Sequence, residues 1–82
     1  MQLEILTPAK NIFSGEVKLV KVPGCKGSFE ILKNHAAIIS SLTSGELKVE
    51  TETGETLKYT ISSGVVEVKS NHIVVLAESI TE

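Results

Sequence analysis

The chain contains no tryptophan, no arginine and no aspartate, and a single cysteine, Cys25, in its 82 residues. Each absence removes a class of function. With Phe13, Phe29 and Tyr59 as the only aromatics, there is no platform on which bases or sugar rings could stack, and the core has to be aliphatic. Without arginine, no side chain can grip a phosphate or carboxylate through two parallel N–H donors. The 8 lysines are interspersed among the acids and the net charge is −2, so there is no basic footprint for nucleic acid. A lone Cys25 cannot close an internal disulfide and fits a reducing compartment. No apolar run approaches the roughly 20 residues of a membrane-spanning helix, and the first residues hold no signal-peptide apolar region. The expectation is a cytosolic domain.

What is present is an ordinary globular composition, 41% apolar and 22% charged. A chain of this length encloses one small core and buries roughly 60–65% of its unfolded surface, so its stability is modest unless a partner adds to it. Turn residues recur from end to end with no linker or repeat. Gln2 to Leu6 reads as a short strand ended by Thr7-Pro8. Phe13 to Val22 reads as a long strand with a bulge or bend at Ser14-Gly15, closed by a turn at Pro23-Gly24. Ser28 to Leu32 and Ala36 to Ile39 follow, separated by Lys33-Asn34. A hairpin joins Glu46–Glu52 to Glu55–Ile61 across Thr53-Gly54, with Leu57, Tyr59 and Ile61 on one face. A second joins Val65–Lys69 to His72–Ala77 across Ser70-Asn71. Ala36 to Leu42 comes nearest to helical spacing but is too short for a helix. The pattern predicts an all-β fold, an antiparallel sandwich or barrel, as one domain over residues 1–82.

Two places break the alternation of a half-buried strand. Leu19-Val20 puts apolar residues on both faces, and Ile73-Val74-Val75-Leu76-Ala77 is apolar throughout. Either a bulge or a doubly covered strand accounts for this, or these rows form an outer patch that docks a partner. In the terminal run, Ile73, Val75 and Ala77 are expected in the core, with Val74 and Leu76 under a neighbouring layer or partner.

The reactive side chains do not assemble. His35 and His72 lack further ligands at zinc-like spacing, which leaves no metal site. Ser40 and Ser41 have no aspartate partner and no nucleophile-elbow context. Glu30 reads as a solvated residue of a sheet face. Cys25, beside Lys26 in a turn, reads as a bystander thiol. Gly24 to Gly27 lacks the Lys-Ser/Thr ending and the helix of a phosphate loop. No catalytic residue and no cofactor is expected.

In order and spacing, one set of fragments resembles a known family: Phe13-Ser14-Gly15-Glu16-Val17, His35-Ala36, Ile38-Ile39, Leu42, Gly45 and Leu47. Ser63-Gly64, Glu67-Val68, Asn71 to Ile73 and Val75-Leu76-Ala77-Glu78 complete it. Across the whole chain the sequence is similar to the N-terminal β-sandwich domain of the epsilon subunit of F-type ATP synthase, called delta in mitochondria. The resemblance implies a flattened barrel of two antiparallel sheets of about five short strands each. It implies a non-catalytic rotor part of the central stalk, coupling the c-ring to the gamma subunit at the cytoplasmic face of the bacterial inner membrane. By the same resemblance the gamma-facing candidates are Thr7, Ile12, His35, Ser40 and Leu42. The c-ring candidates are Ser28, Glu30, Lys33 and His35. Ser28 stands where an acid is frequent in the family. Lys33-Asn34 replaces Pro-Gly before the histidine, and Glu30 stands where glycine is usual.

Most bacterial members continue into a C-terminal helical hairpin that restrains ATP hydrolysis and in some binds ATP. Glu78 to Glu82 is barely one helical turn, so the expectation is neither hairpin inhibition nor a nucleotide site here. A natural short form is expected rather than a truncated one. The rival reading is a free-standing β-sandwich module that binds a peptide or small ligand at an outer apolar patch.

Overall fold

The structure, a computed structural model, describes residues 1–81. Its strands are β1 (Gln2–Leu6), β2 (Asn11–Gly24), β3 (Gly27–Leu32), β4 (Ile38–Leu42), β5 (Gly45–Thr51), β6 (Thr56–Ile61), β7 (Gly64–Lys69), β8 (His72–Ala77) and β9 (Ile80–Thr81). Alternation of apolar and polar residues fixes most of them, because successive side chains leave a strand on opposite faces. In β8, Ile73, Val75 and Ala77 are buried, as the sequence pattern predicts, whereas Val74 is half-buried and Leu76 exposed, with no layer of the described chain over it. The weakly helical stretch Ala36 to Leu42 is a loop followed by β4.

The long strand β2 organises the fold. Its first half pairs with β1, and its second half carries β3 and β5 on opposite edges, since Leu19, Val20 and Lys21 pair with both. One sheet therefore runs from the first half of β2 through β1, β8 and β7 to β4. The other runs from β3 through the second half of β2 to β5, β6 and β9. The chain changes sheets within β2 and in the β3–β4, β4–β5, β6–β7 and β8–β9 connections, and the Gly24–Leu42 bridge joins the two sheets. The result is a flattened barrel of two sheets around one aliphatic core. That core includes Leu3 and Ile5 of β1, Val20 and Val22 of β2, Ile31, Leu47, Val49, Val66, Val68, Ile73 and Val75, all at most 2% exposed.

The architecture matches the expected sandwich, with four local corrections. The β1–β8 ladder is parallel, with Leu3 opposite Ile73 and Ile5 opposite Val75. Ser14-Gly15 is in regular register; the extra residues of β2 are Ile12, opposite the Ile5–Leu6 step, and Lys18, opposite the Glu50–Thr51 step. The second bulge explains Leu19-Val20: one inserted residue shifts the alternation, so Val20 points into the core and Leu19 stays half-buried outside. Pro23 and Gly24 belong to β2, and the turn falls at Cys25-Lys26. Finally, the β5–β6 turn is the three residues Glu52-Thr53-Gly54 rather than Thr53-Gly54 alone, closed by Thr51 N–H donating to the Glu55 carbonyl (2.8 Å), and Ile80-Thr81 adds as β9 beside β6.

Turn chemistry agrees with the backbone. Ser70 and Asn71 both have positive φ, 49° and 61°, which suits a two-residue hairpin with right-handed strand twist. Gly64 is required for another reason: a Cβ there would overlap the Leu76 carbonyl and crowd Ala77.

Candidate functional site

The outer face of the β1–β8–β7–β4 sheet carries an exposed apolar row beside a mixed one. Residues directly opposite on neighbouring strands share a face. One row thus runs Leu6, Leu76, Val65, Ser41, and the next runs Glu4, Val74, Glu67, Ile39. Ile39 is 74% exposed, Leu76 52% and Val65 38%. Leu6, Pro8, Val65 and Leu76 line an open groove of about 590 Å³ that also includes Thr7 and Glu78. Beyond these rows lies a polar border, Gln2, His72 and Lys69. There His72 Nε2 and Glu4 Oε1 stand 2.7 Å apart.

The outer face of the opposite sheet is charged. Lys21 of β2 faces Lys48 of β5, which faces Lys58 of β6, in one cross-strand row that ends on Glu30 of β3. Like charges in direct register repel, but Glu46 and Glu50 flank Lys48 on its own strand and offset this. The one apolar island is Leu19 opposite Leu32, the latter 50% exposed. The two irregular apolar runs in the sequence, Leu19-Val20 and Val74-Leu76, thus contribute to opposite sides of the domain.

The structure gathers some of the carried-over positions and separates others. Ser28 and Glu30 lie exposed on β3, Lys33 and His35 in the β3–β4 loop, and Ser40 half-buried on β4, so one lateral border holds them all. The loop is pinned to the β7–β8 turn. Asn34 N–H donates to Asn71 Oδ1 (2.6 Å), and Asn71 Nδ2 donates to Asn34 Oδ1 (3.0 Å). His35 is held locally, its N–H bonded to the Leu32 carbonyl (3.1 Å) and Nδ1 2.8 Å from the Ala36 carbonyl. Thr7 and Ile12 lie elsewhere, lining a groove with Ile80.

Leu42 is a correction. It is 3% exposed and belongs to the core cluster, because it sits on the inner row of β4. Its side chain cannot meet a partner while the sandwich is closed. Conversely, Leu6, Val65 and Ile39 were not singled out as contact residues by the sequence reading. The available signal was the apolar doublets Ile38-Ile39 and Val65-Val66, in which only one member can face the core.

Among the described residues, no group of three or more His, Cys or acidic side chains converges as a metal site, and no polar or charged residue is buried. The arrangement offers surfaces for association rather than a reactive cluster.

Comparison with known proteins agrees with this geometry. The family model for the ATP synthase Delta/Epsilon chain beta-sandwich domain matches residues 1–82. The ATP synthase epsilon chain of Pelotomaculum thermopropionicum is 38% identical over 78 residues, covering 95% of this chain and 58% of that one. That of Desulforamulus reducens is 41% identical over 78 residues, again covering 58% of the relative. This chain therefore spans little more than half the length of these two relatives. The epsilon chain of Chlorobaculum tepidum is 35% identical over 79 residues, covering 96% of this chain and 90% of the relative. Among solved structures, a chain of the Euglena gracilis mitochondrial ATP synthase superposes with a TM-score of 0.90 at 23% identity. It is covered over 96% of this chain and 51% of its own length. A chain of the Tetrahymena thermophila central stalk/c-ring structure gives 0.84 at 21%, over 100% of this chain and 66% of its own length. At those identities the two structures speak to the fold alone. The sequence matches go further: this chain belongs to the family of ATP synthase delta/epsilon chain β-sandwich domains.

Proposed function

We propose that the chain is a non-catalytic central-stalk subunit of an F-type ATP synthase, a rotor part that couples the membrane c-ring to the gamma subunit during ion-driven ATP synthesis. The observation that carries this reading is the sidedness of the sandwich, in a chain of the delta/epsilon family: one outer sheet face carries an exposed apolar row in register, Leu6, Leu76 and Val65, while the other is charged. A part that transmits torque has to be stiff and has to hold two bodies at once. Two sheets closed around one core supply the stiffness, and an apolar face with a polar border has the composition of a lasting interface.

On this reading the apolar face, with Thr7 at the mouth of its groove, packs on gamma, and Ile12, His35 and Ser40 extend the contact around the borders. Ser28, Glu30 and Lys33, with His35, form the polar end toward the c-ring loops. Charges placed there steer orientation more than they add affinity. The chain would work at the cytoplasmic face of the bacterial inner membrane, held there through its partners, with no nucleotide or cofactor of its own.

Gel filtration of the chain mixed with the gamma subunit of the same genome tests the proposal. A one-to-one complex is expected. Recovery of the chain only as a monomer beside folded gamma counts against it and leaves the free-standing binding module as the reading to pursue.

A further inference from the structure

Strand β4 pairs with β7 along its whole length, but on its other edge it meets β2 only at Leu42. Strand backbone groups alternate between the two edges. On the β2 side, the Ser41 carbonyl accepts from Cys25 N–H at 3.2 Å and Thr43 N–H donates to the Pro23 carbonyl at 2.8 Å. The odd-numbered residues therefore aim their polar groups at this edge. That leaves the N–H and C=O of Ile39 and the N–H of Ser41 directed past the β2–β3 turn, where no strand among the described residues pairs with them.

Proteins blunt exposed strand edges with charge, proline, bulges or short length, because a bare edge is a template for another strand. The other edges here are blunted. β3 carries Glu30, the first half of β2 is bulged at Ile12, β9 has 2 residues, and the part of β6 that β9 leaves uncovered carries Lys58. In contrast, β4 reads Ile38-Ile39-Ser40-Ser41-Leu42, with no charge, no proline and no register shift. Ile39, its second residue, is 74% exposed. Beside the edge, Ala37, Ile38 and Ile39 with Glu67, Val68 and Lys69 of β7 line an open cavity of about 360 Å³ over the β4–β7 ladder, so side chains of an added strand would find open space there.

We propose that the free edge of β4 takes up an extended segment of the gamma subunit as an added strand, bonded through the main chain of Ile39 and Ser41. The occupant is an extended strand because a row of N–H and C=O groups spaced along a strand is matched by another extended backbone, whereas a helix has none to offer. This edge borders the outer sheet face at Ile39, contains Ser40 and follows the loop that carries His35, so one partner can cover face and edge together. The two contacts do different work. Apolar packing is non-directional and lets surfaces slide, while a hydrogen-bonded ladder has a fixed register, which is what a body under torque requires.

The inference rests on the central-stalk reading above, and its test separates the two. Amide exchange is measured on the unmodified chain, free and with gamma. The amides of Ile39 and Ser41 should slow at least tenfold in the complex, whereas those of Ser40 and Leu42, already bonded to β7, should change less. Unchanged exchange at Ile39 and Ser41 in a formed complex overturns the inference and leaves the central-stalk reading standing. Ile39→Pro removes one edge donor the domain does not use, and should weaken gamma binding at least tenfold, with Ile39→Val close to unmodified. Full affinity in a folded Ile39→Pro chain also overturns it. A concentration-dependent homodimer that Ile39→Pro abolishes assigns the edge to a second copy and overturns gamma as its occupant. No binding of gamma by the unmodified chain overturns both readings.

Discussion

Leu76 of β8 and Val65 of β7 stand directly opposite each other with both side chains outside the sandwich. Their chain neighbours Val75, Ala77 and Val66 are buried. The pair sits at the centre of an apolar row that continues to Leu6, and no layer of the described chain covers it. Leu76→Glu should therefore leave folding intact, since the side chain is already half in water, and weaken gamma binding by about 2 kcal/mol or more if it is a central anchor. Titration calorimetry reads the binding and circular dichroism the fold. Unchanged affinity in the folded variant would remove the face from the interface.

One position along the same strand, the outcome reverses. Val75 is fully buried between Ile5 of β1 and Val66 of β7. Val75→Glu places an unpaired carboxylate in the aliphatic core and should unfold the isolated domain, because the cost exceeds the modest stability of a chain this size. A cooperative thermal transition in the variant near that of the unmodified chain would contradict the assigned facing of β8.

Gly64 makes a separate prediction. A methyl group at that position meets the Leu76 carbonyl and the Ala77 backbone, neither of which can move without breaking the β7–β8 ladder. Gly64→Ala should destabilise by about 1–3 kcal/mol, the usual range for overpacking, and lower the thermal midpoint. A midpoint equal to that of the unmodified chain would mean that the two strands separate more easily than this spacing implies.

The Asn34–Asn71 pair should matter for position more than for global stability. Asn71→Gly keeps the positive φ of the turn but removes both side-chain bonds to the β3–β4 loop. A loss of about 1 kcal/mol is expected from exposed bonds of this kind, with the larger effect on amide exchange across residues 33–37. Protection in that loop identical to the unmodified chain would show that other contacts hold Lys33 and His35 in place.

By contrast, Glu4→Gln should change stability by less than about 1 kcal/mol. Its 2.7 Å contact with His72 is largely exposed, with the two side chains 33% and 50% accessible. Denaturant titration in low and high salt measures this. A large, salt-sensitive loss would show that the pair is better shielded than its exposure indicates.

Much of this architecture was legible in the residues because it depends on local chemistry. Period-two alternation located the strands and correctly sorted Leu57, Tyr59 and Ile61, as well as Ile73, Val75 and Ala77, to the inside. Ser70-Asn71 marked its hairpin through backbone freedom alone, and Thr53-Gly54 marked the place of the other hairpin but not its length, since the loop also takes in Glu52. Where the reading failed, the deciding contact was remote. The bulges at Ile12 and Lys18 exist only relative to β1 and β5. The burial of Leu42 depends on β4 lying between β7 and the end of β2. β9 forms only because β6 offers an edge.

By itself, then, the sequence determined that this is a small aliphatic β-sandwich of the delta/epsilon family, and which side of its own strand a residue takes wherever the alternation is unbroken. Alternation and turn residues act over a few positions, and that information needs no partner strand. Only the tertiary structure decided which outward residues meet. Leu6 joins Leu76 and Val65 because β1 lies parallel to β8, while Leu19 ends on the far side among the lysines. The order of strands in a sheet is set by which faces can close a common core, and no short stretch of chain carries that.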